Sequence, residues 1–123
     1  MIAIEDVIRI HRVLVDQFGG THGLRDKSAL ESAISRPFAT FDQQEMYPSP
    51  LDKAAAILES LVTNHPFIDG NKRIGYVLAR LLILKSGLDI HATQQDKYDL
   101  VLGVSKGELK YDNIKFWLSE RCK

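Results

Sequence analysis

The sequence has a single cysteine, no excess of either charge and no apolar run long enough to span a membrane. Cys122 cannot form a disulfide within the chain, and a reducing cytoplasm is therefore the expected location. The 16 basic residues balance the 16 acidic ones, so no overall field draws the chain to nucleic acid or to an anionic membrane. No stretch resembles a signal peptide or approaches the length of a membrane span. These absences predict a soluble cytoplasmic protein that binds anions only at a local site.

Proline is also scarce, and three of the four prolines lie in one segment, from Pro37 to Pro50. The segment has no sustained period, so we expect an ordered loop, parts of which could pair locally. Its large apolar side chains are Phe38, Phe41, Met46 and Tyr47. The simplest interpretation is that these side chains pack the loop onto the core. Residues 88–92 are another stretch that could pair locally.

Most of the remaining chain has its apolar residues at helical spacing. The pattern predicts helices over residues 4–18, 26–35, 51–64, 72–86 and 93–104, and a last helix from about residue 112 onward. Gly19, Gly20 and Gly87 are stop signals, whereas Asp26 and Thr93 are N-cap residues. No stretch alternates convincingly as a strand does. We predict an all-α fold in a single domain, residues 1–123, which is long enough to bury one core.

One of these helices contains an unusually apolar run. From Val77 to Leu84, every residue except Arg80 is apolar. A helix with apolar residues on nearly all sides needs other helices around it. We therefore predict that the helix over about residues 72–86 is the central helix of a compact bundle. Arg80 lies seven residues after Arg73, on the same face, and is expected to be structural.

A polar segment of nine residues, His65 to Arg73, leads into this helix. The first N–H groups of the helix have no acceptor within it, and they form an anion site together with the helix dipole, Lys72 and Arg73. Gly70 lets the backbone approach an anion closely. His65 could accept a proton from an attacking group, and Asp69 could bind Mg²⁺. A base, a metal ligand and a phosphate site in one segment indicate transfer from a nucleotide.

The same residues also have structural interpretations. His65 could bond to the free carbonyl groups of a helix C-terminus, while Asp69 and Asn71 could cap the next helix. Phe67 is more readily explained as a core anchor for the loop than as a ligand contact. The cations at positions 72–73 are harder to explain in this way, because they oppose the helix dipole unless an anion lies beside them.

The run H-x-F-x-D-G-N-K-R at residues 65–73 specifies seven positions of nine, and it resembles the signature of the Fic/Doc family. The resemblance is closer to the Doc (death-on-curing) branch, whose members are toxins of bacterial and phage toxin–antitoxin modules. It extends to Phe18-Gly19-Gly20, to Gly23-Leu24-Arg25-Asp26 and to Lys53-Ala54-Ala55. A Fic/Doc-like helical bundle is therefore the expected fold.

The resemblance implies a role for each residue of the motif. His65 is the general base toward a serine, threonine or tyrosine hydroxyl of a target protein, and Asp69 holds Mg²⁺ on the phosphates of ATP, the co-substrate. The nucleotide phosphates are bound by Gly70, Asn71, Lys72 and Arg73. Of these, Lys72 and Arg73 also stabilise the transferred group and so count as catalytic residues with His65.

Two departures from the wider family bear on the reaction. Many Fic enzymes that transfer AMP have a glycine at the place of Lys72 and an arginine at the place of Tyr76. Doc toxins share the lysine, bind the nucleotide reversed and transfer its terminal phosphate to elongation factor Tu, which inhibits translation. The resemblance thus implies a Doc-like protein kinase. AMP transfer to a protein hydroxyl stays the alternative, because Gly70 stands where some Doc proteins carry alanine.

The resemblance further implies restraint by a separate, Phd-like antitoxin, since the inhibitory helix motif carried by some Fic proteins is absent from this sequence. We expect an antitoxin segment to fold onto an apolar groove. Under the same resemblance, the loop over residues 37–50 becomes a flap that aligns the target polypeptide. Two further hypotheses stay open: a non-catalytic, antitoxin-bound module, and a zinc hydrolase, for which His65 and Asp69 supply at most two of the usual three ligands.

Overall fold

A computed structural model describes residues 1–123 and confirms the all-α fold class. The helices are α1 (Ile4–Phe18), α2 (Lys27–Ser35), α3 (Pro50–Asn64), α4 (Asn71–Lys85), α5 (Gln94–Ser105) and α6 (Tyr111–Arg121). A 3₁₀ turn over Arg36–Phe38 and two short strands, β1 (Thr40–Phe41) and β2 (Gln44–Glu45), connect α2 to α3. No helix combines the length and the hydropathy needed to cross a bilayer.

The helix ends follow from local capping chemistry. The Asp26 carboxylate accepts the N–H of Ala29, and the Thr93 hydroxyl accepts the N–H of Asp96. Gly19 ends α1 with a φ of 88°, a conformation that favours glycine. The capping predictions made from the sequence at these positions are therefore confirmed.

The core is arranged around α3 to a greater degree than the apolar run of α4 predicted. Nine residues of α3 are buried, and this helix packs against α2, α4, α5 and α6. Its small residues, Ala54 to Ala56, are fully buried and allow close helix contacts. Helix α4 buries six residues against its neighbours, but Leu81 and Leu84 are 42% and 40% exposed. Helix α4 therefore contacts α1, α3 and α5, as a central helix should, but its Leu81 and Leu84 side chains lie in an open cleft and are not covered.

The loop over residues 37–50 contains a small antiparallel hairpin, in which Thr40 pairs with Glu45 and Phe41 with Gln44. Phe41 is 77% exposed and Met46 is 54% exposed. These two side chains do not pack onto the core, contrary to the simplest interpretation of the loop. Local pairing, which the sequence left possible in this loop and at residues 88–92, is present here and at residue 90, where Ile90 bridges Cys122.

Arg80 has the structural role expected for it. Its Nε and Nη2 atoms donate to the two carboxylate oxygens of Asp89, each at 3.0 Å. This pair joins α4 to the segment that leads into α5. It also holds the pKa of the Asp89 carboxyl at about 2, well below its ordinary value of 3.8.

Candidate active site

The loop between α3 and α4 is folded on itself by one side chain. The Asn71 carboxamide accepts the N–H of Phe67 and donates to the carbonyl of the same residue, both at 2.9 Å. Phe67 is only 2% exposed, as expected for a core anchor. The loop begins and ends with a left-handed residue, His65 (φ 50°) and Gly70 (φ 78°). These four residues give the loop a defined shape, so the side chains between them are held in place.

His65 is the C-cap of α3 and presents an exposed ring. Its backbone carbonyl accepts the Nε–H of Arg25 at 2.6 Å, and the Asn64 carbonyl accepts Nη2–H at 2.8 Å. Arg25 therefore satisfies the free carbonyl groups at the end of α3. The structural interpretation of His65 had assigned these bonds to its own side chain. The His65 imidazole makes no hydrogen bond within the chain and is available to solvent or to a ligand.

Three backbone N–H groups at the start of α4, those of Asn71, Lys72 and Arg73, have no acceptor in the chain. The Lys72 side chain is exposed and has no carboxylate partner. The Arg73 guanidinium donates from Nη1 to the carbonyl of Gly19 at 3.1 Å and lies over the Phe18 ring. The start of this helix therefore combines free donors with two cations, an arrangement that suits an anion such as phosphate.

Asp69 lies beside these donors and is exposed to solvent. Its Oδ2 accepts the N–H of Thr21 at 3.0 Å, and its Oδ1 accepts the N–H of Gly70 at 2.8 Å. These two backbone bonds, aided by nearby Arg73 and Lys72, hold the pKa of the carboxyl below its ordinary range. The group is therefore an anion at neutral pH.

The Asp69 carboxylate fits the requirements of a Mg²⁺ ligand. Each oxygen accepts one hydrogen bond and so retains lone-pair capacity for a metal. Mg²⁺ commonly binds through one or two carboxylates, with waters and substrate phosphates completing its shell. No group of three or more His, Cys, Asp or Glu side chains is arranged as a cage for a metal. Asp69 is thus the one carboxylate that this chain would contribute to a Mg²⁺ ion.

An open cleft of about 760 Å³ runs from the motif along α4 to α5. Its polar end is lined by residues 69–73, so the structure brings five of the six predicted site residues to one cavity. His65 is outside this lining, on the far end of the same loop. Along the rest of the cleft lie Leu14, Phe18, Tyr76, Leu81, Leu84, Lys97 and Tyr98, among others. Burial raises the pKa of the Tyr76 phenol, which therefore stays protonated.

Several residues that support the site were not identified from the sequence. His11 of α1 is 3% exposed and bonds to the Asp69 carbonyl. The turn after α1 contributes the Gly19 carbonyl and the Thr21 N–H. A signal for His11 was present, since it continues the buried stripe formed by Val7 and Val15 at a spacing of four residues. A histidine on the inward face of a helix requires a buried partner.

Comparison with known proteins finds a family whose model matches most of this chain. Residues 2–83 match the family described as Fic/DOC. The match includes α1, the motif loop and most of α4, which are the elements that form the polar end of the cleft. The match stops before α5, which forms the other wall of the cleft, and before α6, the last helix.

Individual relatives are similar over different lengths. Toxin Doc of Mycolicibacterium smegmatis is 41% identical over 75 residues, which cover 61% of this chain and 58% of that protein, so the chain spans just over half the length of this relative. Protein kinase doc of Escherichia phage P1 is 26% identical over 113 residues, 92% of this chain and 88% of the relative. A Fido domain-containing protein of Dictyostelium discoideum is 49% identical over 39 residues, 32% of this chain and 27% of the relative.

Proposed function

The chain belongs to the Fic/Doc family, and from this premise we propose that it is a Doc-like toxin that transfers the γ-phosphate of ATP to a hydroxyl of a protein. Elongation factor Tu is the target that we propose, and inhibition of translation is the consequence. Its similarity to a toxin and to a protein kinase of the Doc type supports the proposal. The observation that carries it is the start of α4, where three free N–H groups and the unpaired Lys72 lie beside the Asp69 carboxylate.

In the proposed reaction, the hydroxyl oxygen of the target forms a bond to the γ-phosphorus while the bond from that phosphorus to the β-γ bridging oxygen breaks. The hydroxyl proton passes to the free imidazole of His65, and ADP leaves. The exposed position of this ring suits a base that must reach a group on another protein. The Arg25 bonds to the carbonyls of residues 64 and 65 hold the backbone that carries the ring.

The remaining motif residues bind and neutralise the phosphates. The N–H groups of residues 71–73 donate to phosphate oxygens, and Lys72 with Arg73 stabilises the charge on the phosphoryl group in transfer. Asp69 would hold Mg²⁺, which would neutralise charge on the phosphates when bound. Phosphoryl transfer requires little from a protein beyond such positioning and charge.

Lys72 also favours phosphate transfer over AMP transfer. A glycine at this place would leave room for phosphates to lie against the helix, as in the AMP-transferring relatives. Here a lysine side chain occupies the edge of the cleft and carries a charge that attracts the terminal phosphate. We therefore propose the reversed nucleotide orientation of Doc toxins for this chain.

The test is incubation of the purified protein with a bacterial extract, Mg²⁺ and ATP labelled on either the α or the γ phosphate. Label from γ alone, on a protein of the size of elongation factor Tu, supports the proposal. His65→Ala and Lys72→Ala should abolish it. His91→Ala and Lys85→Ala are matched controls, because these side chains are exposed and lie outside the cleft. Label from α would establish AMP transfer instead, and no label would favour a binding module.

We propose that a Phd-like antitoxin covers the apolar part of the cleft. Leu81 and Leu84 of α4 and Tyr98 of α5 are exposed there, at 42%, 40% and 59%. An amphipathic segment that folds on binding would bury this face. Leu81→Glu should weaken binding of the antitoxin segment at least about tenfold, since it places a charge in the apolar contact. Phe116→Glu, at an exposed apolar residue of α6 outside the cleft, is the control.

A further inference from the structure

His11 lies far from the motif in the sequence but inside the site in the structure. It belongs to the inward face of α1 and is 3% exposed. Its Nε2 lies 2.7 Å from the carbonyl oxygen of Asp69, a residue 58 positions later. A carbonyl oxygen can only accept, so Nε2 carries the proton and donates it. This contact determines the tautomer of the ring.

The orientation of the ring is determined by a second contact. The His11 imidazole is stacked on the Phe67 ring, with centroids 3.8 Å apart and an angle of 7° between the planes. Phe67 is itself buried and clamped by Asn71. The stack therefore holds the imidazole in one plane, and of the two ring orientations in that plane only the one adopted here points Nε2 at the Asp69 carbonyl. Its hydrogen bond has one available direction.

That direction determines the plane of the peptide between Asp69 and Gly70. A peptide group is planar, so a carbonyl that points to α1 makes the Gly70 N–H point the opposite way. There the N–H donates to Asp69 Oδ1 at 2.8 Å. The next three N–H groups along the chain are the free donors of the anion site. The orientation of this one peptide plane thus determines the position of the Asp69 carboxylate and also the place where the row of free N–H donors begins.

The space around this peptide is correspondingly tight. A Cβ at Gly70 would lie 3.3 Å from His11 Nε2, and Gly70 has a φ of 78°. The glycine therefore lets the loop approach the histidine closely as well as adopting a left-handed conformation. His11 and Gly70 thus form a close contact although they are far apart in the sequence.

We propose that His11 is a positioning residue of the active site, which acts through the Asp69–Gly70 peptide to align the metal-binding carboxylate with the phosphate-binding N–H groups. This role rests on the proposed function for its catalytic consequence. It differs from a purely structural role, in which His11 would only satisfy the Asp69 carbonyl and fill the space above Phe67. The two roles predict different activities for variants that keep the aromatic ring without the N–H donor, or the donor without the ring.

The test compares His11→Phe, which keeps a ring on Phe67 but has no donor, with His11→Gln, which keeps an N–H donor but has no ring. Thermal melts first define a temperature at which both variants and the wild type are folded. At that temperature, we expect kcat for phosphate transfer to fall at least about tenfold in His11→Phe and to stay within about threefold of wild type in His11→Gln. Equal activity of His11→Phe and wild type would overturn the role, and so would equal losses in the two variants.

A second readout does not depend on turnover. In ¹⁵N-labelled protein, the amide resonances of Gly70 and Asn71 should shift in His11→Phe and return toward wild type in His11→Gln. Inorganic phosphate should also bind about tenfold more weakly to His11→Phe at these amides. If the wild type transfers no phosphate, the proposed function fails while this readout still decides the role of His11. Unshifted Gly70 and Asn71 resonances in His11→Phe would overturn it.

Discussion

Replacing Gly20 with alanine tests whether the turn after α1 orients Asp69. A Cβ at Gly20 would lie 2.8 Å from Asp69 Oδ2. The oxygen would have to move by about 0.6 Å to reach an ordinary van der Waals contact. Because this oxygen accepts the Thr21 N–H at 3.0 Å, the movement would break or lengthen the bond that orients the carboxylate. We expect phosphate transfer at limiting Mg²⁺ to fall about tenfold.

Gly19→Ala is the matched control. Gly19 also has a positive φ, 88° against 115° for Gly20, but a Cβ there would meet no atom within 4 Å. Both variants should therefore suffer backbone strain of about 1–3 kcal/mol. For a chain of this size, that strain lowers the melting temperature by roughly 3–12 °C. The loss of transfer should appear in Gly20→Ala alone.

The assay measures initial rates of transfer against Mg²⁺ concentration at a temperature where all three proteins are folded. In Gly20→Ala, the Mg²⁺ concentration for half-maximal rate should rise, because the displaced carboxylate binds the metal less well. Gly19→Ala keeps the backbone carbonyl that accepts from Arg73, so it should follow the wild-type curve. Equal losses of transfer rate in the two variants would mean that backbone strain causes the effect. Full activity in Gly20→Ala would show that Asp69 needs no support from this turn.

Three further predictions concern stability. Asn71→Ala leaves the buried N–H and C=O of Phe67 without partners, so urea titrations should give a free energy of unfolding lower by about 2–4 kcal/mol; an unchanged value would argue against the loop clamp. Asp89 has its pKa lowered to about 2 by Arg80, so its pairing stabilises the folded state above its ordinary pKa of 3.8 and is lost as the pH falls toward 2. Asp89→Asn should therefore be less stable than wild type at neutral pH, and a difference that persists undiminished in acid would contradict the assignment. Gly75→Ala would place a Cβ 3.1 Å from a side chain of α3, and calorimetry should show a loss of about 1 kcal/mol despite the better helix propensity of alanine; a gain would show that α3 and α4 can separate.

The helix bounds were predictable because the signals that set them are local. Asp26 and Thr93 each accept an N–H three residues later, and Gly19 adopts its positive φ within the turn itself. Such contacts depend on a few neighbouring residues and hold in many tertiary contexts. The loop over residues 37–50 lacked comparable signals. Its hairpin turns through Asp42 and Gln43, which both have a positive φ, although neither is glycine.

The sequence could not specify which face of each helix would be covered. The apolar run of α4 predicted burial on nearly all sides, yet Leu81 and Leu84 line an open cleft and stay partly exposed. Hydrophobic spacing reports which residues favour burial, but the number and direction of the neighbouring helices decide how many of them are buried. In a chain of this length, α3 occupies the middle and little remains to cover the outer side of α4.

The roles of the motif residues stay predictions, but the sequence alone determined where to look for the site. Residues 65–73 form one segment, so their proximity follows from chain connectivity. What only the tertiary structure decided is the support of that segment: His11 on the Asp69 carbonyl, Thr21 on the Asp69 carboxylate, and the Gly19 carbonyl on Arg73. These partners lie about 50 residues away along the chain, and no local pattern encodes their distance. They meet because α1 packs beside the start of α4, and that packing is a property of the whole core.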